Sequence, residues 1–395
     1  MNLLYDLIAS QPGKFAKFHG GGLYAEVIFF ALLDDYSQIE LTCVYDSHRY
    51  INPMIMEKCQ EKNITVIDIN TLSIPQIIEN QNIDIFYTAL PEIHHNTKIE
   101  NCIFAGTIHG PRSLEMYIDS TAWHYAKSVR DKIIFLIRYI FKKQLLKYRV
   151  HKVWGKLFFN PCFKFITVSE HSRFSVASFF PNIDNEDINV FYSPLMDQLN
   201  DYNEEDIRDL SELIKVIPKK YYLMTSGERW LKNNLKASLA LDELFTEHPA
   251  WDFKVVITGV RTKSIYTKHI KNKDKFIFLD FVERGILESL HREAYAFIYP
   301  SLNEGFGYPP LESMKYRVPV IASGISAIPE ICGNAVIYFN PFCKDEIKNR
   351  ILQLQDDNIY NFLSNTGYDR YLMISNRQKK DLYGFVNYLK NGMNL

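Results

Sequence analysis

One stretch of the sequence, residues 299–323, constrains the fold of this chain more than any other. It begins with the end of a short apolar run that stops at Pro300, and a loop with two glycines follows. Pro309 and Pro310 come next. Proline suits the first turn of a helix, because a backbone N–H at that position would have no hydrogen-bond partner within the helix. A second apolar, β-branched run starts at Val318. This order predicts a strand, a glycine loop, a helix and a further strand.

The loop and helix start of this stretch predict a site for an anionic or hydroxyl-rich ligand. Backbone amides in such a loop and at a helix N-terminus attract anions. Glu304 lies in the loop, and Glu312 follows eight positions later in the predicted helix. A carboxylate accepts hydrogen bonds from a vicinal diol, so the two residues suit the hydroxyls of a sugar or a ribose. The alternative is that the glycines only form a turn and that both glutamates are solvated.

The stretch resembles the E-x7-E signature of the retaining glycosyltransferases of family four, which have the GT-B fold. The matching segments are Glu304-Gly305-Phe306-Gly307, Pro310-Leu311-Glu312, Val318-Pro319-Val320-Ile321, Ile328-Pro329-Glu330-Ile331 and Gly333-Asn334-Ala335. The resemblance implies an α/β protein with two Rossmann-like parallel-sheet domains that face an interdomain cleft. It also implies that Glu304 contacts the donor sugar, that Glu312 contacts the ribose hydroxyls, and that front-face attack retains the anomeric configuration.

The resemblance assigns further residues to the donor site. The loop residues Gly305, Phe306, Gly307 and Tyr308 are expected to face the donor. Tyr308 stands where the family often has leucine, which we expect to adjust the sugar pocket. Val282 belongs to a loop that lies against the nucleotide base in the family. The last helix commonly crosses back to the first domain in GT-B proteins.

Length and composition fit such a protein. The chain has 395 residues, enough for two domains, and its 47% apolar content predicts sizeable cores. A net charge of −1 gives no global attraction to nucleic acid. The six scattered cysteines have no metal-binding spacing, and we find no basic leader and no apolar run long enough to cross a bilayer. We therefore expect a cytoplasmic protein with reduced thiols, peripheral at most to the inner face of the membrane.

The pattern of apolar runs divides the chain into parts. Alternating strands and helices predict a parallel sheet in an N-terminal, acceptor-side domain, residues 1–196. An acidic, polar stretch at 197–220 predicts the interdomain linker. Residues 221–375 are predicted to form the nucleotide-sugar-binding domain, and residues 376–395 the helix that returns to the first domain.

The first half contains three candidate functional residues. Gly21 and Gly22 follow the first strand and could let the backbone approach a ligand closely, although a plain flexible loop is the alternative. His109 ends an apolar strand, and ligands gather at the carboxyl ends of strands in open α/β sheets. The alternative is a histidine bonded to a neighbouring backbone group. The family resemblance places all three near the donor or the reaction centre. His94 and His95, which follow each other in a polar stretch, are predicted to be surface residues.

The second half begins with a strand that leads into Arg229 and Lys232. Arginine offers a fork of donors and lysine a compact charge, so the two residues predict a clamp for the leaving diphosphate. With these charges we predict a reaction that needs no metal ion and no cofactor beyond the nucleotide-sugar donor. The family has the same arginine and lysine with a longer spacing, which makes Lys232 the firmer of the two assignments.

Residues 127–156 form the most unusual stretch of the first half. Ten lysines and arginines alternate there with apolar side chains, against the single acid Asp131. This pattern predicts a long basic amphipathic helix, with a break, that lies on an anionic membrane surface. Each basic residue near such a surface contributes about 1 kcal/mol. The alternatives are that the apolar side is domain core and that the basic side is a solvated face.

Together these features predict a retaining, metal-independent hexosyltransferase. Its catalytic residues are predicted to be Glu304, His109, Lys232 and Arg229. The expected partners are a nucleotide sugar and a saccharide or lipid-linked acceptor in cell-surface polysaccharide or glycolipid synthesis, with no nucleic acid. Two alternatives stay open, namely a nucleotide-sugar epimerase or phosphorylase of the same fold and a non-catalytic protein that binds sugar nucleotides.

Overall fold

The computed structural model describes residues 1–12, 20–34, 38–195 and 217–394. The chain divides into two compact units. The first comprises Met1–Leu114, Lys143–Leu199 and Ser375–Leu395, and the second comprises Glu115–Lys142 and Asn200–Ile374. Nearly all of the predicted linker 197–220, and residues 13–19 ahead of the glycine run, lie outside the described residues.

The described residues alternate between strands and helices along most of the chain. The strands are β1 (Asn2–Asp6), β2 (Glu40–Tyr45), β3 (Thr65–Asp68), β4 (Ile85–Thr88), β5 (Ile103–Ile108), β6 (Phe163–Thr167), β7 (Ile188–Val190), β8 (Tyr221–Met224), β9 (Lys254–Ile257), β10 (Phe276–Phe278), β11 (Ala296–Tyr299), β12 (Val320–Ser323) and β13 (Ile337–Phe339). The helices are α1 (Gly20–Asp34), α2 (Pro53–Glu61), α3 (Ile74–Asn80), α4 (Arg112–Glu115), α5 (Val129–Ile140), α6 (Lys142–Tyr148), α7 (Gly155–Phe158), α8 (Glu170–Phe179), α9 (Asn234–Glu247), α10 (Ser264–Thr267), α11 (Arg284–Glu293), α12 (Tyr308–Met314), α13 (Ile328–Cys332), α14 (Lys344–Gln353) and α15 (Asp357–Lys390).

The first unit is built on a parallel sheet. Its strands lie in the order β3-β2-β1-β4-β5-β6-β7, and each neighbouring pair is parallel. Apolar side chains such as Leu4, Phe86 and Phe104 pack into its core. Strands buried on both faces read as continuous apolar runs, which is why the sequence predicted a parallel sheet.

The second unit repeats this architecture with a smaller sheet. Its strands lie in the order β10-β9-β8-β11-β12-β13, again all parallel. Tyr222, Ile257 and Ile298 belong to the core of this unit. Because β8 and β11 lie at the centre of the sheet, the loops that follow them start beside each other at its carboxyl edge. Those loops hold the residues of the candidate site.

Residues 115–142 differ from the predicted domain division. The sequence assigned them to the first domain, but the structure groups them with the second unit. Lys127 Nζ donates to Glu228 Oε2 at 2.6 Å, and Asn303 Nδ2 donates to Glu115 Oε2 at 2.6 Å. Tyr125 also packs against the core of the second unit. The segment is thus joined to that unit by contacts between residues far apart in the sequence, which composition does not reveal.

The predicted basic segment 127–156 is accordingly divided between the units after Lys142. Helix α5 ends at Ile140 and α6 begins two residues later, so the expected break is present. At the start of α5, Ser128 and Asp131 form a capping box in which each side chain accepts a hydrogen bond from the other residue's backbone N–H. This cap fixes where the helix begins.

The last helix is longer than the sequence indicated. We predicted a separate helix at 376–395, whereas α15 runs unbroken from Asp357 to Lys390. Its final part belongs to the first unit, where Gln378 Nε2 donates to the Ser193 carbonyl at 2.6 Å and Asp381 accepts from the Tyr192 N–H at 2.9 Å. Among the described helices, none is long and apolar enough to cross a membrane.

Candidate active site

The predicted unit of strand, glycine loop, helix and strand is present in the second unit. Strand β11 pairs in parallel with β12, and α12 connects them with two prolines in its first turn. Gly307 directly precedes α12 and has φ +107°. A residue with a Cβ atom is strained at that φ angle, which explains the glycine at this position. The loop therefore has a fixed path from the sheet edge to the helix.

Glu304, in this loop, is buried and paired with buried Lys232. Lys232 Nζ donates to Glu304 Oε1 at 2.7 Å, and the hydroxyl of Ser301 donates to the same oxygen. Ser326 Oγ accepts from the backbone N–H of Glu304 at 3.0 Å. The carboxylate thus has a defined orientation, set by a positive charge and a hydroxyl.

Tyr299, the last residue of β11, completes this cluster. Its hydroxyl accepts from Lys232 Nζ at 3.0 Å, and the same ammonium lies 4.9 Å from the centre of the tyrosine ring. Burial raises the pKa of Tyr299 well above its ordinary value, and the negative charge of Glu304 raises it further. Tyr299 is therefore a neutral hydroxyl at physiological pH. The sequence analysis placed Tyr299 only as a strand residue.

The loop after β8 brings Lys232 to Glu304. Residues Trp230–Lys232 form one turn of 3-10 helix, and Asn233 follows with φ +54° ahead of α9. The backbone N–H of Leu302 donates to the Leu231 carbonyl at 2.7 Å, which ties the two neighbouring loops together. The pairing of β8 with β11 in the sheet is what places these loops side by side.

Arg229 and Lys232 have different environments, although the sequence analysis paired them as a clamp. Lys232 is buried and engaged with Glu304, whereas Arg229 is exposed. Arg229 still acts on the cluster, because its charge lowers the pKa of Tyr299 against the larger effect of burial. Arg229 is therefore the more accessible of the two positive charges.

Glu312, in α12, has partners of its own. Arg284 Nη1 donates to Glu312 Oε1 at 2.6 Å, and His291 Nε2 lies 3.5 Å from Oε2. The pKa of His291 is lowered to about 4, chiefly by burial, so the ring is neutral at pH 7. Its Nδ1 lies 2.6 Å from the hydroxyl of Ser313. The alternative in which Glu304 and Glu312 are both simply solvated does not fit these contacts.

Four of the remaining predicted donor residues lie between Glu304 and Glu312 in the sequence, and Val282 precedes both glutamates. Gly305, Phe306 and Gly307 are buried, and Tyr308 is half-buried with its ring 5.1 Å from that of Phe306. Val282 is half-buried and lies two residues before the start of α11. Their roles toward a donor stay predictions.

The first unit holds the other predicted residues. His109 Nε2 lies 3.0 Å from the Ala89 carbonyl oxygen, and its ring makes an edge contact with Tyr24. A Cβ at Gly21 would lie 2.8 Å from Leu90 Cδ2, so this glycine permits close packing of α1. Gly22, in the same helix turn, is buried. The contact with a backbone group is the alternative that the sequence analysis left open for His109.

His94 was predicted to lie on the surface, and that prediction is wrong. His94 is buried, its Nε2 lies 2.8 Å from Asp6 Oδ2, and Thr88 donates to the same oxygen at 2.6 Å. A 3-10 turn after β4 directs the imidazole inward, against the ring of Phe86. Asp6, an acid that directly follows three buried residues of the first strand, is the signal that could have indicated a buried partner.

Sequence reasoning also missed Arg284 and His291. The two lie seven residues apart on α11, which puts them on one face of the helix. That spacing was available from the sequence, but their partner Glu312 was not. Among the described residues, no three histidine, cysteine, aspartate or glutamate side chains converge as a candidate metal site.

Comparison with known proteins gives a family match and several relatives. Residues 214–370 match the family described as glycosyl transferases group 1. The O-antigen chain mannosyltransferase RfbU of Salmonella typhimurium is 30% identical over 191 residues, which cover 47% of this chain and 49% of that protein. O-antigen chain mannosyltransferase B of Escherichia coli is 43% identical over 81 residues, which cover 20% of this chain and 21% of that protein. The matched region thus spans about half the length of these curated relatives at most.

Solved structures match the chain over nearly its whole length. A glycosyltransferase from Rickettsia africae ESF-5 has a TM-score of 0.62 and 16% identity, and the match covers 99% of this chain and 98% of that one. The Anabaena protein HepE in complex with UDP and glucose has a TM-score of 0.61 and 14% identity, with 99% and 100% covered. At such identities the likeness shows the fold, and the fold is GT-B with two Rossmann-like parallel-sheet domains.

Proposed function

The chain carries a glycosyl transferases group 1 domain at residues 214–370, and we propose on that premise that it transfers a sugar from a nucleotide-diphosphate sugar to a hydroxyl acceptor. The acceptor is a saccharide or a lipid-linked saccharide in cell-surface polysaccharide synthesis. Relatives named O-antigen chain mannosyltransferases support this assignment and make mannose the first sugar to test.

The observation that carries the proposal is the buried contact between Lys232 and Glu304. A loop after β8 and a loop after β11 each contribute one charged side chain to the carboxyl edge of the sheet. Ligands of open α/β sheets bind at this edge. A carboxylate that is oriented in advance suits a sugar hydroxyl, and an ammonium beside it suits a diphosphate.

The two positive charges support a leaving diphosphate without a metal ion. Charge develops on the phosphate oxygen as the bond to the sugar breaks, and fixed positive groups stabilise it. Lys232 is held in place by Glu304 and Tyr299, and exposed Arg229 is accessible to solvent and ligand. We assign both residues to the diphosphate.

The environment of Glu304 supports transfer with retention by front-face attack. Its Oε1 accepts hydrogen bonds from both Lys232 and Ser301, which makes the carboxylate a poor nucleophile. In the proposed step the acceptor oxygen bonds to the anomeric carbon as the bond to the diphosphate breaks. The acceptor proton passes to the leaving phosphate oxygen. Glu304 contacts the sugar, Glu312 contacts the ribose, and no covalent bond to the protein forms.

We also propose that α5 lies on an anionic membrane surface. Five apolar residues at helical spacing form a stripe on α5, and each is between 45% and 75% exposed: Val129, Ile133, Leu136, Ile137 and Ile140. An apolar helix stripe normally faces a core. Exposed Arg130 and Lys132 of the same helix flank this stripe at helical spacing. An apolar stripe with basic flanks suits lipid tails beside anionic head groups.

Turnover of sugar nucleotides tests the proposed reaction. The donors are GDP-mannose and UDP-glucose, the acceptor is a mannose disaccharide with a hydrophobic aglycone, and the product anomer is read by NMR. We expect an α-linked product from an α-linked donor, equal activity with and without EDTA, and loss of transfer in Glu304→Gln and Lys232→Ala. The exposed Lys268→Ala serves as a matched control and should keep full activity.

Different results would overturn different parts. Unchanged transfer in either site variant would contradict the assigned site. An inverted product would contradict retention, and loss of activity with EDTA that added Mg²⁺ restores would contradict metal independence. Formation of an epimer without acceptor, or of a sugar phosphate with inorganic phosphate, would identify one of the alternative reactions.

A further inference from the structure

Helix α11 presents two nitrogen-bearing side chains to the carboxylate of Glu312. Arg284 Nη1 lies 2.6 Å from Oε1, and His291 Nε2 lies 3.5 Å from Oε2. Because seven residues span nearly two helical turns, Arg284 and His291 point to the same side of α11. Each oxygen of Glu312 thus faces its own partner on one rigid element.

Arg284 is held on both sides. Its Nε lies 3.4 Å from Glu288 Oε1, one helical turn further along α11, while its Nη1 reaches Glu312. A guanidinium is planar and presents its donors in a fixed fork, so two carboxylates at different edges fix its plane. The orientation of the guanidinium is then transmitted to Glu312 through a short, charge-assisted hydrogen bond.

His291 lies beside the other oxygen of Glu312 without adding a charge. The ring is buried and neutral, and the nearby Glu312 carboxylate favours the tautomer that carries its hydrogen on Nε2. In that tautomer Nδ1 accepts from the hydroxyl of Ser313. Nε2 lies 3.5 Å from Oε2 and makes no hydrogen bond within the described residues, so Oε2 stays able to accept hydrogen bonds from a ligand.

We propose that Arg284 is the positioning residue that presets the Glu312 carboxylate for the two hydroxyls of the donor's ribose. The inference rests on the proposed function, in which Glu312 contacts that ribose. A carboxylate that is already oriented binds a diol without first losing side-chain freedom. Arg284 acts through Glu312, so its effect is specific to ligands that carry the hydroxyls.

A purely structural role for Arg284 makes a different prediction. A partly exposed ion pair contributes little to stability on its own. If its role were only structural, its loss would change the affinities for all ligands by the same factor. The two roles are separated by the preference for a ligand with ribose hydroxyls over the same ligand without them. This preference is the ratio of two affinities measured with one variant, so an effect of general destabilisation on both affinities cancels.

The experiment uses the full chain and isothermal calorimetry. UDP, GDP and ADP are screened first, and the diphosphate that binds most tightly is compared with its 2′,3′-dideoxy form. The variants are Arg284→Gln, Arg284→Lys and the control Arg350→Gln. Arg350 is similarly exposed, at 33% against 29% for Arg284, and it also pairs with a glutamate on its own helix.

We expect the wild type to prefer the ribose form. Arg284→Gln should lower affinity for the ribose form about tenfold, the size of one weakened charge-assisted contact, and leave the dideoxy form unchanged. Arg284→Lys should restore part of the preference, and Arg350→Gln should match the wild type. In turnover assays, Arg284→Gln should raise the donor KM more than it lowers kcat.

Three outcomes separate the claims. If no nucleoside diphosphate binds the wild type, the proposed function fails. If one binds and Arg284→Gln keeps the full preference for ribose, or weakens both ligands equally, the positioning role is wrong and the proposed function stands. If Arg284→Gln does not fold, the same comparison is made with Arg284→Lys, and an unchanged preference there overturns the inference.

Discussion

The ammonium of Lys232 lies 2.7 Å from Glu304 Oε1, although the two residues are 72 positions apart in the sequence. Both side chains are buried, and Tyr299 accepts a further hydrogen bond from the lysine. Burying two charges costs desolvation energy that is recovered only while both are present. The stability of the second unit and the proposed donor chemistry therefore depend on the same contact.

This relationship predicts strong coupling between Lys232 and Glu304. Lys232→Met or Glu304→Gln alone leaves a buried charge without its partner and should lower the free energy of unfolding by about 3 to 5 kcal/mol. The double variant removes both charges and should be destabilised by clearly less than the sum of the single changes. Urea unfolding of the four proteins measures the coupling. Additive effects, within about 0.5 kcal/mol, would show that the pair is not coupled in the folded protein.

His291 predicts a pH-dependent loss of stability. Its pKa is about 4 in the folded protein, and an unfolded histidine has a pKa of about 6.5. The unfolded state therefore binds a proton first as the pH falls, so the stability from neutral His291 is fully present above about pH 6.5 and is lost toward pH 4. The free energy of unfolding should fall by about 3 kcal/mol across this window.

Urea unfolding at several pH values between 4 and 7 checks this prediction. His291→Gln should show a shallower pH dependence than the wild type, because the residue that titrates differently is gone. His48→Gln provides the control, since the side chain of His48 is 77% exposed. Equal pH dependence in the wild type and His291→Gln would contradict the assignment.

Sedimentation with vesicles checks the membrane proposal. The protein should bind vesicles of phosphatidylglycerol and phosphatidylcholine more strongly than vesicles of phosphatidylcholine alone, and salt should weaken that binding. Charge reversal at Arg130 and Lys132 should reduce it, and so should Ile133→Ser with Ile137→Ser. The control Glu79→Gln changes an exposed residue of α3 and should bind as the wild type does. Equal binding by the charge-reversed variant would rule the proposal out.

The backbone conformation of Gly307 leads us to expect that any larger side chain there lowers the stability of the protein. Its φ of +107° is one that L side chains rarely adopt, so Gly307→Ala should lower the free energy of unfolding by about 1 to 3 kcal/mol and impair donor turnover. Gly20→Ala is the matched control. A Cβ there has no heavy atom within 4 Å, and the helical backbone accepts alanine. Wild-type stability and turnover in Gly307→Ala would show that the loop adjusts freely.

The arrangement around β11 and α12 could be predicted because each step of it has a local cause. Apolar runs indicated the buried strands, the glycines indicated the loop, and Pro309 and Pro310 indicated the helix start. The two parallel sheets followed from strands that are apolar on both faces. Glu304 and Lys232 were both selected from the sequence, but their direct contact depends on β8 and β11 being neighbours in the sheet.

The rest of the site depends on contacts between residues far apart in the sequence. Arg284 and His291 belong to the site only because α11 packs beside α12, which brings both side chains close to the carboxylate of Glu312. His94 was misplaced because its partner Asp6 lies 88 positions earlier. The apolar stripe of α5 illustrates the reverse case, since the sequence indicated an amphipathic helix and only the structure showed the stripe to be exposed.

The contacts of Glu115 with Asn303 and of Lys127 with Glu228 have a consequence for recombining this chain with other GT-B proteins. A chimera joined near residue 200 would combine the sheet of the second unit from one parent with the 115–142 segment of the other. Glu228 and Asn303, neighbours of Arg229 and Glu304, would then face foreign partners. Junctions after Leu114 and after Lys142, in addition to those near residue 200 and Ile374, keep these pairs together. An exchange of domains is therefore best attempted with this segment and the second unit inherited from the same parent.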